Sequence, residues 1–380
     1  MNSRRNKLEN IKEILSISSG DIIGGAIVSF FWLYLASVID VDEYGKISYF
    51  MGIAGLGYII ALIGTRNTIT VYSAKNFSAY STLAALSIIF GIISTITVFF
   101  LVNKFDSSLL LSMYVINEIS LGYIIGKRLF KIYSIYVLIQ KSLTVVFGLV
   151  FYYIIGPDGI ILGISLSYVH FGIIFYKILK TNKISKSQLD GKYGFIMNNY
   201  FINIIGGVKS NLDKIIIAPL FGLTIMGNYA LILQFYALLA LVPMTVSKIF
   251  LPQDAQGIPN DKSKYLIFVI AVVISITSFT ISPYLIPIFF KNFIHATDGI
   301  RILSLGVIPS VTSMLLSSRL LGLEKSKYVI IGLLFFVIPL ILGIILSRNY
   351  GIIGITMSYV AGLSLSAIYY AIVTKSLKIK

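Results

Sequence analysis

The chain contains no cysteine and two histidines in 380 residues. A disulfide framework, a thiol nucleophile and a Cys/His zinc site are therefore excluded, and no metal site or catalytic residue is expected. Long polar segments are also missing. The two longest connections, around Lys180–Phe195 and Pro252–Lys264, are too short to hold a soluble catalytic domain. The sequence thus predicts a protein that is not an enzyme and has no cofactor.

Apolar residues dominate what is present. The composition is 57% hydrophobic and 12% charged, and the mean hydropathy is +0.90. A helix needs about 20 apolar residues to cross a bilayer, and the chain has about twelve such segments. We therefore predict an all-α polytopic membrane protein. The predicted spans are 14–39, 47–72, 80–102, 108–126, 132–155, 159–179, 196–221, 226–250, 265–290, 299–321, 327–347 and 350–373.

The positive charge of the chain is distributed in a way that favours a membrane topology over nucleic-acid binding. Lys and Arg outnumber Asp and Glu by 31 to 15, and they concentrate on alternate connections, including the N-terminal segment and the run Lys177–Lys192. This is the positive-inside pattern. It predicts a cytoplasmic-membrane protein with both termini in the cytoplasm and with membrane lipids, not nucleic acid, as partners. No small-residue cleavage site follows the basic N-terminal segment, so we expect an uncleaved first helix.

The spans fall into two halves. We predict a six-helix lobe over 1–180, a basic linker over 181–195 and a second six-helix lobe over 196–380. A short repeat supports this, because Gly159–Val169 and Gly351–Val360 share a pattern of Gly, Ile, Ser, Tyr and Val. Lobes with an even number of spans have the same orientation, so their pseudo-two-fold axis should follow the membrane normal.

Small residues recur at close-packing intervals in several spans. In three pairs of glycines, three other residues separate the two members: Gly20 and Gly24, Gly122 and Gly126, and Gly159 and Gly163. Such spacing favours close helix–helix approach. A fainter repeat match aligns Gly45, after span one, with Gly227, after span seven; taken alone it is no better than chance.

Charged residues inside the spans are the candidate functional groups, because each is costly in hydrocarbon. Asp21 and Arg66 lie at similar depth in spans one and two, and Glu118 and Lys141 do so in spans four and five. We predict one ion pair from each of these two sets. For both cations two other interpretations stay open, namely snorkelling to headgroups and pairing without substrate contact.

Span seven is the most polar segment. One stripe at helical spacing contains Asn199, Asn203, Gly206, Ser210 and Asp213. Lys209 lies four residues before Asp213 and could pair with it, and Lys214 follows directly. The four mid-span cations exceed the three mid-span carboxylates, which predicts a slightly cationic cavity suited to an anionic headgroup.

Short motifs in both halves resemble the polysaccharide and lipid-linked oligosaccharide flippases of the MOP superfamily, which include O-antigen flippases. The resemblance rests on Tyr34–Ser37, Asp42–Gly45, Gly64 with Arg66, and the segments Asn211–Ala218 and Gly227–Ala230. It implies two six-helix lobes and alternating access, with a polyisoprenoid-phosphate-linked sugar as substrate. Partnership with glycan-assembly enzymes is expected on the same ground, and the flippase itself is expected to be a monomer.

The leading functional hypothesis is a flippase that moves a lipid-linked oligosaccharide from the cytoplasmic to the outer leaflet. Two sets of residues carry it. The predicted substrate-binding residues are Arg66, Lys141, Asn203, Lys209 and Lys214, and the predicted charge-pairing or H⁺/Na⁺-coupling residues are Asp21, Glu118 and Asp213. The alternatives are a cation-coupled multidrug exporter of the same superfamily, a membrane-embedded glycan polymerase and a channel.

Overall fold

The computed structural model describes residues 2–255, 261–323 and 325–377. The predicted basic tail at Lys378 and Lys380 and part of the connection after Pro252 lie outside these residues. The described part is helical throughout, without strands. Its helices are α1 Asn2–Val38, α2 Val41–Ala61, α3 Arg66–Ala74, α4 Ala79–Val102, α5 Phe105–Gly126, α6 Phe130–Ile155, α7 Gly159–Leu166, α8 Phe171–Thr181, α9 Tyr193–Phe221, α10 Leu223–Ala255, α11 Asp261–Phe289, α12 Thr297–Leu305, α13 Val307–Gly322, α14 Ser326–Leu346 and α15 Gly351–Ser376.

The helices confirm a multi-pass membrane protein. Among the described residues, nine helical segments are long and apolar enough to cross a bilayer, and the bent pairs α2–α3 and α7–α8 raise this number to eleven. α9 does not belong to that set although it has 29 residues. Lys209, Asp213 and Lys214 in its sequence lower its hydropathy. Each predicted span nevertheless coincides with a helix or a broken helix.

Two predicted spans are broken with a sharp bend, and a third, 299–321, is divided at Gly306 into α12 and α13. The predicted helix over 47–72 is interrupted after Ala61, and the next helix starts at Arg66 with a bend of 43°. Thr65 caps the new helix, since its side chain accepts a hydrogen bond from the backbone N–H of Thr68 at 3.3 Å. The break places Arg66 at the first position of a short helix.

The predicted span 159–179 is likewise divided into α7 and α8, which are bent by 48°. Between them the backbone follows i→i−3 hydrogen bonds, such as Tyr168 to Ser165 at 3.3 Å and Phe171 to Tyr168 at 3.0 Å. This is the tighter 3₁₀ geometry. No glycine or proline lies at this break.

Packing divides the chain into two compact units. Unit 1 contains α1 up to Val28 and the chain from Phe50 to Leu212, and unit 2 contains Ser29–Tyr49 and the chain from Asp213 onward. The helices α1, α2 and α9 therefore contribute residues to both units. The predicted lobe boundaries at 180 and 196 describe the order of the chain, and they stay a prediction.

Unit 1 is organised around α5, which packs against α3, α4, α6, α7 and α8. The predicted small-residue pairs lie at its helix crossings. A Cβ added at Gly122 would lie 2.8 Å from the carbonyl oxygen of Arg66, one at Gly20 would lie 3.2 Å from the Cα of Ser134, and one at Gly163 would touch the backbone of Phe147. These glycines bring α5 onto α3, α1 onto α6, and α7 onto α6.

Unit 2 contains a close crossing of α2 and α10 at the two glycines of the faint repeat match. A Cβ at Gly45 would lie 2.7 Å from the backbone nitrogen of Gly227, and one at Gly227 would collide with the carbonyl of Val41. Beside them, the hydroxyl of Thr224 donates a hydrogen bond to Asp42 at 2.6 Å. The two aligned positions thus contact each other, and neither tolerates a side chain.

Candidate functional site

The clearest intramembrane ion pair joins Arg66 on α3 to Glu118 on α5. The guanidinium donates two hydrogen bonds, from Nε at 2.8 Å and from Nη2 at 2.5 Å, to the two carboxylate oxygens. The side chains are 35% and 18% exposed. The prediction that Arg66 pairs with Asp21 is therefore wrong. The break before α3 and the close approach at Gly122 turn Arg66 towards α5 instead of α1.

Asp21 and Lys141 complete a group of charges in unit 1. The hydroxyl of Tyr133 donates to the carboxylate of Asp21 at 3.1 Å. The stem of Lys141 passes over α1, since a Cβ at Gly24 would lie 2.9 Å from its Cγ. The strongest charge interaction of Lys141 is with Asp21, and Arg66 repels it. Because both carboxylate oxygens of Glu118 accept hydrogen bonds from Arg66, the predicted Glu118–Lys141 ion pair is wrong as well. We call Asp21, Arg66, Glu118, Lys141 and Tyr133 the charge cluster.

Three tyrosines that the sequence did not point out extend the charge cluster. The rings of Tyr58 and Tyr114 are 5.2 Å apart, and those of Tyr114 and Tyr168 are 5.4 Å apart, both edge to face. Tyr58 and Tyr168 lie within electrostatic range of Glu118 and Arg66. A mid-span tyrosine needs a partner for its hydroxyl, and that requirement was the available sequence signal. The tyrosines give the charge cluster an aromatic wall.

The part of α9 in unit 1 packs tightly onto α2. The hydroxyl of Tyr200 donates to the carbonyl of Ile60 at 2.6 Å, and a Cβ at Gly55 would meet the side-chain amide of Asn211. Asn203, on the predicted polar stripe, has a buried Nδ2 without a hydrogen-bond partner in the described part of the chain. Such a donor is costly unless something outside the chain satisfies it. Lys209 is half-buried on the same helix.

The remaining charges of α9 belong to unit 2. Asp213 is 3% exposed, and its carboxylate accepts hydrogen bonds from the hydroxyl of Tyr229 at 2.7 Å and from the backbone N–H of Lys214 at 2.9 Å. The ammonium of Lys214 lies 3.9 Å away. Tyr359 also lies within electrostatic range of this carboxylate. The pairing of Lys209 with Asp213 along the helix stays a prediction.

Each unit can now be described by its own charges. Among the mid-span residues of unit 1, the cations Arg66, Lys141 and Lys209 face the carboxylates Asp21 and Glu118, which leaves one formal positive charge in this set. In unit 2, Asp213 and Lys214 balance each other. Within the described ranges, no three His, Asp or Glu side chains are grouped so that they could hold a metal ion. Charge neutralisation and hydrogen bonding are the chemistry that these residues offer.

Comparisons with known proteins agree on the fold. No protein-family model and no curated protein sequence matches the chain. Solved structures do match. An inward-facing multidrug resistance MATE family transporter of the MOP superfamily is 13% identical with a TM-score of 0.71, and the alignment covers 96% of this chain and 99% of that one.

Two further structures extend this likeness. The MATE transporter VcmN of Vibrio cholerae is 13% identical with a TM-score of 0.62, over 96% of this chain and 97% of its own. The lipid II flippase MurJ in an inward closed conformation is 12% identical with a TM-score of 0.73, over 95% of this chain and 87% of its own. At these identities the likeness concerns the fold, so the chain has the two-lobed helical fold seen in MATE transporters and in MurJ.

Proposed function

We propose that this protein is an alternating-access flippase. Its substrate is a polyisoprenoid-phosphate-linked oligosaccharide, which it moves from the cytoplasmic to the outer leaflet. The observation that carries the proposal is the mid-span charge of unit 1, where Arg66, Lys141 and Lys209 outnumber the carboxylates by one. A phosphate headgroup needs surplus positive charge and hydrogen-bond donors in a low-dielectric site. An exporter of organic cations would be better served by surplus carboxylates.

The charge cluster suggests how the headgroup is held. The guanidinium of Arg66 already donates two hydrogen bonds to the two oxygens of a carboxylate, and two oxygens of a phosphate can accept the same pair of donors. Glu118 keeps this guanidinium oriented when no phosphate is present. The amide of Asn203 supplies a further donor. No covalent step is needed, so the reaction is transport alone.

The topology belongs to the same proposal. We infer twelve spans, namely the eleven candidates described above and α9, because α9 has the length of a span. We infer that both termini are in the cytoplasm, because the basic residues concentrate on alternate connections. A reporter fused after Lys380 should then behave as cytoplasmic. A reporter on the outer side would contradict both the number of spans and the orientation.

The decisive experiment is a translocation assay in proteoliposomes. A fluorescent lipid-linked oligosaccharide is followed with and without an imposed H⁺ or Na⁺ gradient. Lys209→Ala is expected to lower translocation, whereas Lys177→Ala, an equal change of charge at an exposed position on α8, should leave it unaltered. Equal rates for both variants at equal expression would reject the cationic site.

A second candidate, a cation-coupled multidrug exporter, is favoured by the buried carboxylate of Asp213. Hydrogen bonds from Tyr229 and from the backbone hold this carboxylate in place, and a buried carboxylate can attract a transient cation. Efflux of an organic cation that is abolished by Asp213→Asn, together with normal flipping activity in Lys209→Ala, would move this candidate to first place.

A further inference from the structure

A cavity of about 230 Å³ lies in unit 2, in a groove between α11 and α13 that the transport site does not use. Its polar end is formed by Asp261, Lys264 and Arg319, where α11 begins and α13 approaches its end. Its other end is apolar and includes Phe268 and Leu315. Seven residues separate Asp261 from Phe268, so the groove runs about 10 Å along α11.

The polar end carries both signs of charge. Arg319 donates from Nη2 to a carboxylate oxygen of Asp261 at 2.7 Å, and the two side chains are 23% and 76% exposed. An ion pair with so exposed a partner is weak because water screens it and competes for it. Both groups can therefore exchange their partner for a ligand at little cost.

A buried ion pair fixes the third polar group. The ammonium of Lys264 lies 2.6 Å from Asp254, and these side chains are 10% and 5% exposed. Ser318 donates to the other oxygen of Asp254 at 2.8 Å. Asp254 is thus held from two sides, and it orients Lys264. An ammonium has three N–H donors, so Lys264 can donate hydrogen bonds both to Asp254 and to a second acceptor in the groove.

The surroundings of the groove indicate that it opens near the boundary between headgroups and hydrocarbon. On α11, Tyr265 and Leu266 beside the polar end are 70% and 58% exposed, and Val273, further along the helix, is 57% exposed. Large exposed apolar side chains on a membrane helix face lipid, and the charged positions mark the start of that helix. A molecule in the groove would therefore be amphipathic, with its polar part at Arg319 and its apolar part at Phe268.

We propose that this groove binds one phospholipid with a primary ammonium headgroup, of which phosphatidylethanolamine is the simplest. Its phosphate contacts Arg319 and Lys264, its ammonium contacts Asp261, and the first part of one chain lies along Phe268 and Leu315. The charges select this headgroup. A purely anionic headgroup would be repelled by Asp261, and a choline headgroup has no N–H to donate to a carboxylate. The site is independent of the transported substrate.

A methylation series tests the assignment. The purified full-length chain is titrated with phosphatidylethanolamine, its N-methyl and N,N-dimethyl forms, and phosphatidylcholine, and bound lipid is counted by native mass spectrometry. These lipids share one phosphate and one positive charge and differ in N–H donors. Retention should fall along the series by about tenfold in total, the factor that one lost charge-assisted hydrogen bond gives. Phosphatidylglycerol should bind no better than phosphatidylcholine.

Variants assign the effect to the groove. Asp261→Asn should remove the dependence on methylation, and Arg319→Gln should weaken all four lipids equally. The control Lys262→Gln changes the charge of the neighbouring exposed residue, and it should behave like the wild type. Melting curves show whether each variant is folded, and Asp261 is exposed enough to be replaced without loss of fold. Equal retention of all four lipids by the wild type, preference for phosphatidylglycerol, or the same loss in Lys262→Gln would each overturn the proposal.

Discussion

The best-defined contact of the candidate site is the Arg66–Glu118 ion pair, and its contribution to the free energy of unfolding can be measured by replacing the two residues singly and together. The pair has two hydrogen bonds, at 2.8 and 2.5 Å, and its side chains are 35% and 18% exposed. Exposed pairs contribute about 0 to 1 kcal/mol, and loss of one partner from a buried pair costs about 3 to 5 kcal/mol. This half-buried pair lies between these limits, so we expect a coupling free energy of about 2 kcal/mol.

The exposures also predict an order for the single variants. In Arg66→Gln the more buried charge, Glu118, loses its partner, and in Glu118→Gln the more exposed Arg66 does. Arg66→Gln should therefore be the more destabilising variant, by about 1 kcal/mol. The double variant buries two amides and no charge, so its stability should return to within about 1 kcal/mol of the wild type.

Unfolding in detergent, followed by circular dichroism for all four proteins, gives the double-mutant cycle. If the two single losses simply add in the double variant, with a coupling below about 0.5 kcal/mol, the reasoning from geometry is refuted. Transport by the same four proteins separates two roles. Recovery of both stability and transport in the double variant would indicate pairing alone. Recovery of stability without transport would indicate that Arg66 contacts the substrate.

Three other predictions follow from contacts described above. Gly45→Ala should lower the stability by about 1 to 3 kcal/mol through overpacking, whereas Gly206→Ala, where a Cβ meets nothing within 4 Å, should not; equal melting temperatures would contradict the close crossing. Asn203→Leu should preserve or raise the melting temperature, because it removes an unsatisfied donor, and it should lower flipping; unaltered flipping would show that the amide does not contact the substrate. Lys214→Ala should insert normally and lower flipping of an anionic lipid-linked sugar less than Lys209→Ala does, since Lys214 lies off the polar stripe beside Asp213; an equal or larger loss would count against this order.

Much of the fold was predictable because hydrophobic length and loop charge are properties of the sequence itself. The partners of the charged residues were less so. Pairing Arg66 with Asp21 assumed that the second span is one continuous helix. The sequence signal against this is a single residue, Thr65, which caps the helix that begins at Arg66. The break between α7 and α8 has no glycine or proline to mark it. Tyr58 and Tyr168 were missed because their role depends on the position of Glu118 in space.

The shared membership of α1 and α2 has a consequence for how the protein is made. The residues Ser29–Tyr49 belong to unit 2, and the ring of Tyr44 packs at 5.8 Å from Trp32 and at 5.4 Å from Phe293. At roughly 5 to 20 residues per second, ribosomes need on the order of 15 to 65 s to proceed from Tyr49 to the end of α15. The segment Ser29–Tyr49 is thus synthesised well before the rest of unit 2 with which it packs. Unit 2 is therefore completed late, and a chain that stops before Phe293 leaves Tyr44 without this later partner.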